Sequence, residues 1–215
     1  MKVTYRLIFS LFILCLTKTT EAQTYSYDPM PKTDYTNFSL GLTYHIGIPT
    51  FKLDEFVSKT SWRGWDFDLE YRFNPQVSVS GNFGWQNFFE QKDRATYNFE
   101  GGAITGVRVT ETHVWPLTVG ANYYFTDTFR ARPYAAFNVG AYASQTSIEI
   151  GLLGESSSDW SFGFNPEFGI VYPITPNVME LVVRLKYHRF FMEDVDILPN
   201  RSAYWDLGIG INILD

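Results

Sequence analysis

Trp115-Pro116-Leu117-Thr118-Val119-Gly120-Ala121-Asn122-Tyr123-Tyr124-Phe125 decides the fold. Trp115, Leu117, Val119, Ala121, Tyr123 and Phe125 alternate with small, polar or turn-prone residues. A strict period of two places the two sets on opposite faces of a sheet. The pattern recurs outward from this stretch in about eight segments, joined alternately by long polar stretches and very short turns. A soluble sandwich has no reason to sort its connections this way. A barrel crossing a membrane does, with short turns on one side and long loops on the other.

The eight segments are read as follows. Strand 1, about 37–47, sets Phe38, Leu40, Leu42, Tyr44 and Ile46 against Ser39, Gly41, Thr43 and His45; residues 48–61 are a long connection. Strand 2, about 62–73, sets Trp65, Phe67, Leu69, Tyr71 and Phe73 against Asp66, Asp68, Glu70 and Arg72. Asn74-Pro75 is a tight turn, strand 3 follows from Val77, and 88–106 reads as the longest loop. Strand 4 starts near Val107, strand 5 covers about 132–143, and a Gly/Ser-rich loop runs to Trp160. Strand 6 carries Pro166, where a bulge is expected because proline cannot donate to a ladder. Strand 7 carries Met179 to Tyr187 outward, and strand 8 carries Trp205 to Ile213. An even count leaves both termini at the short-turn end, and closure of strand 8 on strand 1 removes every edge. The expected class is all-β: a closed eight-stranded antiparallel up-and-down transmembrane barrel.

The amino-terminal stretch supplies an address. Lys2 and Arg6 precede an apolar run from Leu7 to Leu16, shorter than the roughly 20 residues of a spanning helix. Thr20-Glu21-Ala22 resembles a small-x-small cleavage site, so residues 1–22 read as a secretory signal and 23–215 as the barrel domain. Cys15, the one cysteine, falls inside that signal, which leaves no disulfide framework or thiolate chemistry in 23–215. Removing Lys2, Arg6, Lys18 and Glu21 takes the formal net charge from −6 to −8. An acidic chain without a basic stripe argues against nucleic acid. A mean hydropathy of −0.14 is compatible with a barrel, because only alternate residues meet lipid. The 18% aromatic content fits girdles at the two membrane interfaces.

The stretch 116–125 followed by Arg132-Pro133-Tyr134 resembles the central hairpin of the outer-membrane β-barrel domain family, which includes OmpA-, OmpX- and OmpW-like proteins. Asn165-Pro166-Glu167-Phe168-Gly169 resembles its sixth strand. The resemblance implies an eight-stranded barrel in the outer membrane of a Gram-negative bacterium, with extracellular loops and variable function.

The chemistry-bearing constellation is a set of inward charges: Asp66, Asp68, Glu70 and Arg72 on strand 2, Glu167 on strand 6, Glu180, Arg184 and Lys186 on strand 7, and Asp206 on strand 8. An eight-stranded barrel is just wide enough for side chains to fill, and buried charges must be paired. The set therefore reads as a structural plug, with a gated proton or small-ion path as the functional alternative. Matching depths places Arg72 near Glu180, Glu70 and Glu167 near Arg184, and Asp66, Asp68 and Asp206 around Lys186.

No catalytic, cofactor or metal residues are assigned. The histidines read His45-Ile46-Gly47, His113-Val114-Trp115 and His188-Arg189-Phe190, without the His-x-Ser pair of the lipid A deacylase type. His188 has Asp206 on the next strand, but no serine is identifiable beside them. Glu193-Asp194-Val195-Asp196 lacks the glycine-punctuated spacing of a calcium loop. Two functions of different class follow. One is a non-enzymatic barrel, structural or binding a protein partner through extracellular loops, with an accessory barrel of a secretion or assembly complex as a special case. The other is a narrow channel for small apolar molecules, as in the OmpW-like branch. Outer-membrane lipid is the partner of either, and a lipid A-modifying enzyme is a further, less favoured reading.

Overall fold

The computed structural model describes residues 37–99, 102–126, 131–191 and 202–215. The signal assigned to 1–22 and the acidic loop 193–196 lie outside the described residues. Eight strands form a closed barrel in sequence order: β1 (Phe38–Phe51), β2 (Ser61–Arg72), β3 (Val77–Phe99), β4 (Gly102–Tyr124), β5 (Arg132–Ile150), β6 (Leu153–Thr175), β7 (Met179–Phe191) and β8 (Ser202–Leu214). All neighbours are antiparallel, and β8 closes on β1 with Leu40 opposite Ile213 and Ile48 opposite Trp205. Alternation sorts the faces: Val119 is 65% exposed outward while Thr118 is buried inward. An apolar wall and a polar interior invert the arrangement of a water-soluble protein, and a lipid surround satisfies both.

The short-turn end is built by local polar chemistry. Asn74 Oδ1 accepts hydrogen bonds from the backbone N–H groups of Gln76 (2.9 Å) and Val77 (2.8 Å). Its side chain thus imitates a backbone turn. Asn177, at φ 59°, takes the left-handed conformation that the β6–β7 turn needs.

The opposite end differs from the sequence reading in three respects. Residues 88–106 are not a loop: β3 continues to Phe99 and β4 starts at Gly102. Likewise β5 runs to Ile150 and β6 starts at Leu153, where a loop up to Trp160 was expected. These ribbons rise beyond the lipid-facing band and lose its strict apolar–polar alternation, so that pattern does not mark their full length as strand. Backbone pairing and contacts such as Thr96 Oγ1 to Thr105 Oγ1 (2.8 Å) hold them instead. Thirdly, the connection after β1 contains a one-turn helix, α1 (Leu53–Phe56). Leu53, Phe56 and Val57 recur at helical spacing and all three are buried, while Asp54 and Glu55 face out. Phe51, at φ 56°, ends β1 and turns the chain inward toward α1.

The bulge expected at Pro166 is absent. Pro166 stands opposite Phe137 in an unbroken β5–β6 register, and on the other side Glu167 pairs Lys186 and Phe164 pairs Arg189 without a shift. Asn165 and Pro166 simply have no partner on β7, the side where the missing donor falls. The β6–β7 irregularity lies lower, between Pro173 and Thr175.

Candidate functional site

The lumen is filled in layers. At the short-turn end, Arg72 donates from Nε to Glu70 Oε1 (3.0 Å) and from Nη2 to Glu180 Oε2 (3.2 Å). Arg132 bonds the other oxygen of Glu180. The two guanidinium groups lie 5.0 and 5.3 Å from the ring centre of Tyr124, which donates its hydroxyl to Glu70 (2.8 Å). In this floor two cations lie near one aromatic ring and are tied together by carboxylates.

The second layer centres on Arg184. It bonds Asp66, donates to Asp68 Oδ2 at 2.6 Å, and lies 3.7 Å from Glu167 Oε1. Lys186 donates to Asp66 Oδ2 at 2.6 Å and lies 3.6 Å from Glu167 Oε2. Tyr134 closes the group by donating to Glu167. Lys186 is 1% exposed, so its charge depends on these carboxylates for compensation.

The third layer is histidine-centred. His45 sits between Asp66 (Nε2–Oδ2 2.8 Å) and Asp206 (Nδ1–Oδ1 3.2 Å). Asp206 also faces His188 at 3.6 Å, and His188 Nδ1 lies 3.1 Å from the Tyr142 hydroxyl. An amide ladder continues the chain, since Asn165 donates to Tyr142 (2.9 Å) and Asn138 donates to Asn165 (2.7 Å). Beside Asp68 and Glu70 a polar cavity of about 20 Å³ remains, room for roughly one water.

An apolar lid covers these layers. Leu53, Phe56 and Val57 pack on Phe88, Val114, Tyr142, Phe190 and Tyr204. Tyr204 stacks on His188 at 4.4 Å between ring centres, so the lid rests directly on the histidine layer. Glu90 fastens it by accepting from Ser58 N and Ser58 Oγ, both at 2.9 Å.

Every inward charge read from the sequence lies inside the barrel, but the partners differ in part. Arg72 and Glu180 meet, as do Arg184 and Glu167. Glu70 is not at Arg184; it belongs to the floor with Arg72 and Tyr124. Asp206 pairs with the two histidines, whereas Lys186 bonds Asp66 and Glu167. Depth matching along two strands ignores reach across the lumen, and long cations select the carboxylate their stems can face. Arg132, Tyr124, Tyr134, His45 and the asparagine ladder were not assigned to the network. Their signal was present, because each occupies an inward position by the same parity.

Close packing supports one mutational prediction. A Cβ on Gly208 would lie 2.5 Å from His45 Cε1 and 2.6 Å from Nδ1. Gly208→Ala should displace the imidazole and destabilise by about 1–3 kcal/mol, the usual penalty of overpacking. Urea unfolding in detergent measures it. A neutral substitution would mean that His45 does not rest on this backbone.

An apolar-walled, closed eight-stranded barrel with a polar, filled interior defines an integral outer-membrane β-barrel protein. Residues 12–211 match the model of the family described as outer membrane protein beta-barrel domain. The chain belongs to that family and is located in the outer membrane of a Gram-negative cell. No curated protein matches the sequence. Among solved structures it is similar to Neisserial surface protein A, NspA, at 16% identity over 83% of this chain and 97% of that one, TM-score 0.58. It is also similar to Ail, the attachment invasion locus protein of Yersinia pestis in complex with the heparin analogue sucrose octasulfate: 17% identity, 82% and 96% coverage, TM-score 0.47. The outer membrane protease OmpT of Escherichia coli is similar at 10% identity over 90% and 99% of the two chains, TM-score 0.47. The likeness to NspA is one of fold, and the two looser ones carry no argument about activity.

Proposed function

We propose that this is a non-conducting, non-enzymatic barrel that acts through its extracellular face, binding a protein partner with the ribbons β3–β4 and β5–β6. The observation that carries this reading is the double closure of the lumen, by the apolar lid around Phe56 and by the ion-paired layers beneath it. A path for small apolar molecules would need a continuous apolar bore, and the layer of Arg184 and Lys186 interrupts any such bore. Catalysis is disfavoured for a related reason. Tyr142, His188 and Asp206 form a hydroxyl–imidazole–carboxylate series, but all three are buried under the lid. What remains accessible among the described residues at this end is the protruding sheet.

Planar-bilayer recording tests the closure. The unmutated protein should give no steady conductance, and Leu53→Ser/Phe56→Ser should give none either, because the charged layers still block the bore. Steady conductance from the unmutated protein would sink the reading and make transport the leading function. Replacing 93–106 and 147–156 with tight turns should leave the heat-modifiable barrel intact while abolishing capture of its partner on outer-membrane pull-down. Capture that survives the shortening but is lost on lumen substitution would reverse the assignment.

A further inference from the structure

Two arginines break the apolar wall. Along the outward faces of β1 to β8, from the floor up to the level described below, Arg63 and Arg189 are the only lysine or arginine residues among the described residues. Neither forms an ion pair with another described residue. Each rests on an aromatic ring instead: Arg63 over Phe89 (5.8 Å), and Arg189 over Phe51 (4.8 Å) and Phe191 (5.8 Å). Stacking fixes a guanidinium by its face and leaves its N–H edge free to donate.

Their height follows from the register. Arg72 and Glu180 bond each other across the floor, so these positions of β2 and β7 share one level. Arg63 and Arg189 each lie nine residues farther toward the long-loop end. At about 3.3 Å per residue and a tilt of about 40°, that is roughly 23 Å above the floor, against an apolar band about 25 Å tall. Both cations therefore stand at the outer headgroup boundary.

Among the described residues Arg63 is exposed and Arg189 half-buried. On this side β1 ends at Phe51 and β2 begins at Ser61, beside Arg63, whereas β3 to β6 continue into the ribbons. A headgroup can lie over the rim where β1 and β2 end. We propose that Arg63 and Arg189 are two docking points for the phosphate groups of the glycolipid that forms the outer leaflet. Each guanidinium donates to one phosphate, while Trp65 and Phe67 below Arg63, and Tyr187 and Trp205 below Arg189, meet the acyl chains. The sites are three strands apart on a curved wall, so each takes its own lipid.

Native mass spectrometry of detergent-purified protein titrated with rough lipopolysaccharide tests this. Unmutated protein should retain two glycolipids, R63Q and R189Q one each, and the double variant none. Affinity should fall about tenfold per lost arginine, the worth of one charge-assisted hydrogen bond. Dephosphorylated glycolipid should bind the unmutated protein as weakly as the phosphorylated form binds the double variant, and R63K/R189K should keep most of the affinity. Heat-modifiable gel mobility confirms that each variant is folded. Equal retention by the double variant, or equal binding of dephosphorylated lipid, would overturn the proposal. So would phosphatidylglycerol binding as tightly as the glycolipid, since any anionic headgroup would then serve.

Discussion

Arg184→Ala is expected to cost about 3–5 kcal/mol, the largest effect of any single lumen substitution, because it strands buried carboxylates. Arg184 bonds Asp66 and Asp68 and lies 3.7 Å from Glu167. Lys186 is the one other fixed cation in that layer, and it cannot neutralise all three. A planar guanidinium can address several carboxylates at once, so Arg184→Lys should recover only part of the loss. Neutralising a stranded acid should help: Arg184→Ala with Asp68→Asn should be less damaged than the sum of the singles, a coupling of contact neighbours. The measurement is the urea midpoint of the heat-modifiable band. An Arg184→Ala barrel as stable as a Ser80→Ala control would show that the layer is wet and screened rather than dry.

The parity of the strands made most of this interior legible. Strand 2 writes Trp65-Asp66-Phe67-Asp68-Leu69-Glu70-Tyr71-Arg72, and one charge every second residue beside an aromatic or leucine has a single physical solution in lipid. The lid was not legible in the same way. Leu53, Phe56 and Val57 form a helical triplet too short for a periodic signal, inside a segment that polar residues mark as a connection. The ribbons were missed for the opposite reason. Gln91 to Tyr97 and Glu155 to Asp159 pair as strands while exposing both faces, so backbone hydrogen bonding, which leaves no trace in side-chain hydrophobicity, defines them. Partner choice inside the lumen needed three dimensions. Glu70 is two residues from Asp68 on one face of β2, yet it turns to Arg72 and Tyr124 while Asp68 turns to Arg184.

Moving a charge by one residue along β7 should reverse its effect. Lys186 lies inward among Asp66 and Glu167, whereas Leu185 lies outward, 41% exposed, between Phe168 and Leu207 on the flanking strands. Leu185 is five residues above Glu180 and four below Arg189, so it meets lipid near the middle of the apolar band. Leu185→Arg should therefore cost about 2–4 kcal/mol, while Met179→Arg, at the short-turn rim, should cost about 0–1 kcal/mol. Unfolding by urea from phospholipid vesicles reads both, with bilayer present in the folded state. The contrast carries the information, because β7 would suffer alike at both sites if the penalty came from strand propensity or lost packing. Equal penalties would place Leu185 outside the hydrocarbon and shift the height assigned to Arg63 and Arg189. A steep difference fixes the barrel's depth in the membrane and, with it, the level at which those two arginines meet the headgroups.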